Sequence, residues 1–453
     1  MNDPTTPATG RREQWGSRAG FLLATIGAAA GLGNIWRFAY VAGENGGGVF
    51  LLVYLACVAL IGLPLVIAEL AIGRRARRDA VAAFRALAPR GPWPIAGGVA
   101  VAASFLILSY YGVIAGWALK YFAGAATGAL WPAAADGAGA YFAAFTAAGW
   151  EPVAWQATMM AAAAVLVGRG VARGIEWASR WLVPALFVVT AGLAVFVLTL
   201  AGAGGGVRFL FAPDWAALAR PGVYLAALGQ AFFSVGMGMA IFITYGSYLG
   251  RRETLPGAAT AIVLGDTLIA LIAGTAIFGA VFAFSMDPAT GPELAFVTLP
   301  QIFLQMPAGR VVGAAFFFLL VAAALTSMVA FLEVPVAYAC RRLRLSRPAG
   351  AALVAAAIFV TGLPAALGFG PLSDLRLGGR GILDGMDLAV SNYLLPVSGL
   401  LTALFAGWAW RRDAALGESQ MGDGVAGRLW LWLLRLAVPF AILAVLARAV
   451  GAV

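Results

Sequence analysis

Hydrophobic residues make up 62% of the 453 residues and charged ones only 11%, against about one quarter charged in soluble domains, so a soluble globular chain is excluded. The net charge of +10 is not a nucleic-acid footprint, because 21 of the 30 Lys and Arg fall within 11–18, 74–90, 169–180, 251–252, 341–347 and 411–428, on alternate loops between apolar runs, as the positive-inside rule describes. There is no His, and Cys57 and Cys340 stand far apart in apolar runs as buried thiols, which excludes zinc clusters, His general bases, Ser–His dyads and disulfide frameworks.

In chain order, the polar start lacks a cleavable signal, because the first apolar run is too long and is interrupted. Apolar segments near the roughly 20 residues that a membrane span requires fall at 18–42, 46–73, 95–125, 154–170, 178–201, 222–248, 256–284, 309–340, 348–367, 384–410 and 427–448. With the Arg-rich N-terminus cytoplasmic, an odd count of eleven puts the C-terminus outside. Non-helical outer loops are expected near 126–153, 202–221, 285–308 and 368–383. The result is one integral membrane domain, with 1–17 as a cytoplasmic N-terminal segment.

Two segments carry breaks. The first places Gly31, Gly33, Asn34 and Arg37 inside an apolar run; an unpaired backbone group in hydrocarbon costs several kcal/mol, so such a break belongs beside a polar cavity or ligand. The sixth reads FFSVGMGMAIFITYGSY over 232–248, interrupted at Gly236 and Gly238. Either glycine alone could serve helix packing. Breaks in helices one and six together suggest two five-helix halves, 18–201 and 222–410, of opposite membrane orientation, with 427–448 as an extra helix.

GLGNIWRF at 31–38 with ENGGG at 44–48, GQAFFSVGMGM at 229–239 with ITYGSY at 243–248, ALTS at 324–327 and LDGMD at 383–387 resemble, in order, the motifs of the neurotransmitter:sodium symporter family, in its bacterial amino-acid transporter branch. The resemblance runs from about Arg12 to the last helix. It implies an all-α integral membrane protein of the LeuT type, a 5+5 inverted repeat with broken helices 1 and 6, that performs sodium-driven symport of an amino acid or amine by alternating access.

The resemblance also implies the sites. A first sodium would meet the Ala29 carbonyl, Asn34, Ser234, Asp266 and the substrate carboxylate; a second would meet carbonyls of Gly27, Ala30 and Ala323 with the hydroxyls of Thr326 and Ser327. Taken alone, Thr326 and Ser327 read as hydroxyls bonding back to the preceding turn. Asp266 stands where relatives more commonly have Asn. Chloride-dependent relatives use residues aligned with Tyr54, Gln230, Ser234, Asp266 and Ala270; Ala270 replaces their Ser, while Asp266 supplies a fixed charge. Chloride independence is therefore expected, with Asp266 as a candidate proton carrier on the return.

The substrate carboxylate would meet the amides of Leu32 and Gly33 and the Tyr111 hydroxyl, and carbonyls near Ala29, Phe233 and Ser234 would accept its amine. Monoamine transporters carry Asp where this chain has Gly31, which argues for an amino acid. Ile107, Phe233, Gly236, Met239, Ser327, Met328 and Phe331 would form an apolar pocket, suited to a neutral hydrophobic or aromatic side chain. The outer gate would pair Arg37 with Asp387 under a lid of Tyr111 and Phe233. Arg12, Trp15 and Tyr248 resemble the inner latch, but Arg341 occupies the place of the acid that should receive Arg12. Glu69 resembles a carboxylate that caps free amides of the broken sixth helix, and Glu333 has no assigned role. No organic cofactor and no nucleic acid are implied. The partners are sodium, the amino acid and the bilayer, with room for a homodimer. The 29 Arg against one Lys associates the chain with a GC-rich bacterial genome, hence a cytoplasmic (inner) membrane. A sodium-dependent sensor on the same scaffold, and a symporter of a small amine or imino acid, stand as alternatives.

Overall fold

The computed structural model describes residues 13–251, 253–289 and 291–449. The helices that frame the site are α1 (Arg18–Ala29), α2 (Gly33–Glu44), α3 (Gly48–Ala76), α4 (Pro94–Thr127), α5 (Trp150–Gly168), α6 (Val171–Leu198), α7 (Pro221–Val235), α8 (Ile241–Ser247), α9 (Leu255–Ala283), α10 (Gly309–Leu343), α11 (Arg347–Leu367), α12 (Ile382–Ala409) and α13 (Val425–Ala444). Their ends follow local chemistry. The Ser17 side chain caps α1 by accepting from Gly20 N–H, Pro94 opens α4 where its missing N–H costs nothing, and Gly128 closes it at φ 86°.

Among the described residues eight helices are long and apolar enough to cross a bilayer, or nine if α1 and α2, bent by 48°, count as one span. Every one of the eleven expected segments falls on helix. Two lie outside that set: α5, whose start is diluted by Glu151 and Gln156, and α7 with α8, which the second break divides.

Three of the four expected loops hold helices: Leu130–Ala147, kinked at Gly137, Ala203–Phe211 and Thr298–Gln305. Each buries apolar side chains against the spans, among them Trp131 and Phe145 in the first and Leu210 in the second, and that packing makes helix of sequence with weak local signals. Cys57 and Cys340 are half-buried rather than buried, because the outer face of a membrane helix is apolar toward lipid as well as toward the core.

The bundle is organised around α10, whose most apolar stretch is 78% buried, against 28% for α6 at the rim. α10 packs along α4, and both α1 and α8 lean on it, so the two breaks face a common centre. In the second break Gly236, Gly238 and Ala240 all take positive φ (81°, 76° and 56°). At Gly238 glycine is required twice over, because a Cβ would also lie 2.8 Å from the Leu395 carbonyl.

Candidate functional site

The first break exposes backbone between Ala29 and Gly33, and Asn34 fastens it. The Asn34 Oδ1 accepts from Gly31 N–H (3.2 Å), while its amide donates to Asp266 Oδ1 (2.7 Å) and to the Asp266 carbonyl (2.9 Å). The Ser234 hydroxyl lies 3.0 and 3.1 Å from the two Asp266 oxygens, and Tyr54 OH reaches Asp266 at 3.3 Å and Ser234 at 3.2 Å. Asn34, Ser234, Asp266 and Tyr54 are all buried. Three expected sodium ligands thus meet at one point, and the Ala29 carbonyl takes a contact from Gly31 N–H at 2.8 Å. A buried carboxylate satisfied by neutral donors alone retains unmatched negative charge, which fits a monovalent cation.

Gln230 bridges neighbouring groups, donating to the Gly33 carbonyl (2.8 Å) and accepting from Arg37 Nη1 (3.1 Å). Ala270 lies buried one turn along α9 from Asp266.

The second hydroxyl pair divides its contacts. Ser327 Oγ crosses from α10 to the end of α1, 3.1 Å from the Ala28 carbonyl and 3.5 Å from that of Gly27. Thr326 Oγ1 turns back to the Ala323 (3.0 Å) and Ala322 (3.2 Å) carbonyls, which is the back-bonding arrangement. The helices meet closely here, since a Cβ on Gly27 would lie 3.3 Å from Thr326 Cβ. Hydroxyls and carbonyls from both helices are therefore within one small region, with Ala30 at the α1 terminus.

Among the residues expected to meet the substrate, Leu32 N–H donates to Tyr111 OH at 3.0 Å. A Cβ on Gly31 would come within 2.3 Å of Ser327 Oγ and 2.9 Å of Tyr111 OH, and one on Gly33 within 2.8 Å of the Phe233 ring. Ile107, Met239, Ser327, Met328 and Phe331 are buried, and Phe331 meets Tyr111 edge-on at 5.3 Å. Gly236 ends α7, and Ser104 from α4 donates to the Met239 carbonyl at 2.5 Å. Above them lies a cavity of about 230 Å³ whose lining includes Leu32, Arg37, Tyr111, Phe233 and Asp387.

The expected outer ion pair is not formed. Arg37 stacks on Phe233 at 4.6 Å and is held by Gln230, whereas Asp387 accepts from Ser391 (2.8 Å) and Tyr110 (3.0 Å). Both line the one cavity, and each has a nearer partner there.

At the opposite end Arg12 lies outside the described residues. Trp15 donates from Nε1 to the Tyr245 carbonyl (3.0 Å) and packs 6.4 Å from Tyr248. Arg341, which stands where the resemblance expects the acid that receives Arg12, pairs with Asp79, the cap of the short helix Ala80–Leu87, and its charge is thereby matched. Arg347 meets Glu333 at 2.5 Å and Glu13, at the described start of the chain, at 3.7 Å. Tyr248 OH donates to the other Glu333 oxygen at 2.5 Å, which gives Glu333 a role. Glu69 caps the second break through Gly238 N–H at 2.8 Å.

Sequence reasoning missed Glu13, Arg347 and Glu176. The last accepts from Gly16 N–H and Ser17 Oγ, each at 2.7 Å. The only local hint is an acid next to an arginine-rich loop.

A family model for the sodium:neurotransmitter symporter family matches residues 12–136 and 145–450. An uncharacterized sodium-dependent transporter of Bacillus subtilis (strain 168), YhdH, is 40% identical, over 97% of this chain and 98% of that protein. Another, from Methanocaldococcus jannaschii, is 32% identical over 96% and 89%. The crystal structure of MhsT in complex with L-phenylalanine shares 51% identity and a TM-score of 0.92, covering 97% of this chain and 100% of that one.

Proposed function

The chain belongs to the sodium:neurotransmitter symporter family, and we propose that it is a chloride-independent symporter that couples sodium entry to uptake of a neutral hydrophobic or aromatic amino acid. It is a LeuT-fold membrane transporter and not an enzyme. The observation that carries the finer reading is Asp266, buried at the meeting point of both helix breaks and surrounded by Asn34, Ser234 and Tyr54. A cation there neutralises the carboxylate, and the same carboxylate does the work of a bound chloride beside the first sodium. Protonation of Asp266 after release keeps the empty carrier neutral on its return.

The two sodium sites are those named from the sequence: Ala29, Asn34, Ser234 and Asp266, and Gly27, Ala30, Ala323, Thr326 and Ser327. Supporting the amino acid over an amine is the crowding at Gly31, where a side chain would displace Ser327 Oγ and Tyr111 OH; the carboxylate that an amine carrier supplies from this position comes instead with the substrate. The buried Met and Phe set and the phenylalanine complex of MhsT favour an apolar side chain. Alternating access in this reading moves halves 18–201 and 222–410 about the breaks. Arg37 and Asp387 approach one another on outer closure, and Arg347–Glu333–Tyr248, with Trp15 and Glu13, closes the inside in place of a latch to Arg341. The N-terminus is cytoplasmic, in the bacterial inner membrane.

Sodium-dependent accumulation in proteoliposomes, with labelled tryptophan or leucine competed by a panel of amino acids, tests this. Concentrative uptake inhibited best by apolar amino acids is expected. Binding without accumulation would instead identify a sensor.

A further inference from the structure

Where α12 ends, the π-turn Phe405–Ala409 faces a second one, Leu433–Ala437, within α13. A π-turn disturbs the regular ladder of backbone bonds, and here the Gly407 carbonyl accepts from Arg435 Nε at 2.6 Å. The approach is tight: a Cβ on Gly407 would lie 3.0 Å from Arg435 Cγ. The Arg435 guanidinium also lies 5.2 Å from the Trp408 ring.

Arg412 pairs with exposed Asp423 at 3.5 Å. Among the described residues neither Arg428 nor Arg435 has an acidic partner within 4.0 Å. An arginine within a span is costly unless it meets an anion, a carbonyl or water. Arg435 opens into a cavity of about 430 Å³ that Trp408, Arg412, Arg428 and Trp432 also line. Both tryptophans are exposed, 62% and 53%, as in the aromatic belt at headgroup depth. Leu436 beside them is 52% exposed and continues the apolar face toward the bilayer.

We propose that this cavity binds one anionic phospholipid, its phosphate held among Arg412, Arg428 and Arg435 and its acyl chains lying against Trp432 and Leu436. Three guanidiniums converge on a space open to lipid, which is the charge pattern of a headgroup pocket. Its lining shares no residue with the cavity beside the helix breaks.

Native mass spectrometry of the full chain in detergent, titrated with phosphatidylglycerol or with phosphatidylethanolamine of the same chains, tests it. One retained phosphatidylglycerol is expected, preferred over phosphatidylethanolamine, with retention falling about fivefold for each arginine removed. Arg412→Gln with Arg428→Gln changes two exposed residues and leaves the packing around Gly407 intact; Arg435→Lys keeps the charge and should retain the lipid. Equal retention of the two lipids, or retention unchanged in the double variant, would overturn the proposal. So would displacement of phosphatidylglycerol by excess inorganic phosphate, which would mark a free-phosphate site.

Discussion

The Asn34 amide donates to both the carboxylate and the backbone carbonyl of Asp266, at 2.7 and 2.9 Å, so the break in the first helix is tied directly to the middle of α9. In the proposed mechanism a sodium ion shares that carboxylate. Asp266→Asn removes the charge at nearly constant shape. Bonds to a charged group contribute about 1.5–3 kcal/mol, so the sodium concentration for half-maximal uptake should rise roughly ten- to hundredfold. Wild-type uptake should be unchanged when chloride is replaced by gluconate. Uptake abolished by that replacement would end the chloride-independent reading.

Gly31 is crowded by two hydroxyls. Its missing Cβ would stand 2.3 Å from Ser327 Oγ and 2.9 Å from Tyr111 OH, and Tyr111 is itself fixed by Leu32 N–H. Overpacking of this kind typically costs about 1–3 kcal/mol. Gly31→Ala should therefore weaken equilibrium binding of a labelled amino acid by about tenfold or more, and Gly31→Asp should abolish it. An Asp variant that still binds amino acids tightly would show that the substrate lies elsewhere.

Asp387 is held away from Arg37 by Tyr110 and Ser391. Outer closure must exchange those contacts for the arginine. Tyr110→Phe removes one competing bond, about 1 kcal/mol, and should slow dissociation of bound substrate by roughly fivefold. Arg37→Gln should speed it. Off-rates of labelled substrate diluted into unlabelled buffer read both, and identical rates in all three proteins would mean that neither residue gates.

The first break was legible because Asn34 and Arg37 beside glycines in an apolar run call for a polar neighbour; the second, at Gly236 and Gly238, became legible only in register with the first. Asp266, Thr326 and Ser327 were legible only through resemblance; periodicity alone makes Thr326 a back-bonded hydroxyl, and that is how its contacts fall. What stayed hidden depends on contacts distant in sequence. Glu176 meets Gly16 and Ser17 across about 160 positions, and Arg341 pairs with Asp79, 262 positions away. An acid or base in a short charged loop looks solvated until folding brings its partner. The helices at 130–147 and 203–211 were hidden for a related reason, since docking onto the spans decides them more than their own propensity.

Glu333 is fully buried and meets Arg347 at 2.5 Å, with the arginine side chain 18% exposed. Removing one partner of such a pair leaves an uncompensated charge and costs about 3–5 kcal/mol, whereas removing both costs much less. Arg347→Gln should therefore lower the melting temperature of the detergent-solubilised protein strongly. Glu333→Gln should lower it less, since Tyr248 and the remaining amide oxygen can still bond. The double variant should recover most of the Arg347→Gln loss. If the pair closes the inner side, both single variants should also make a cysteine placed at Thr326 more reactive to a reagent added from the cytoplasmic face. Additive melting shifts with no gain in reactivity would reduce Arg347 to a surface charge and leave the inner gate to Trp15 and Tyr248.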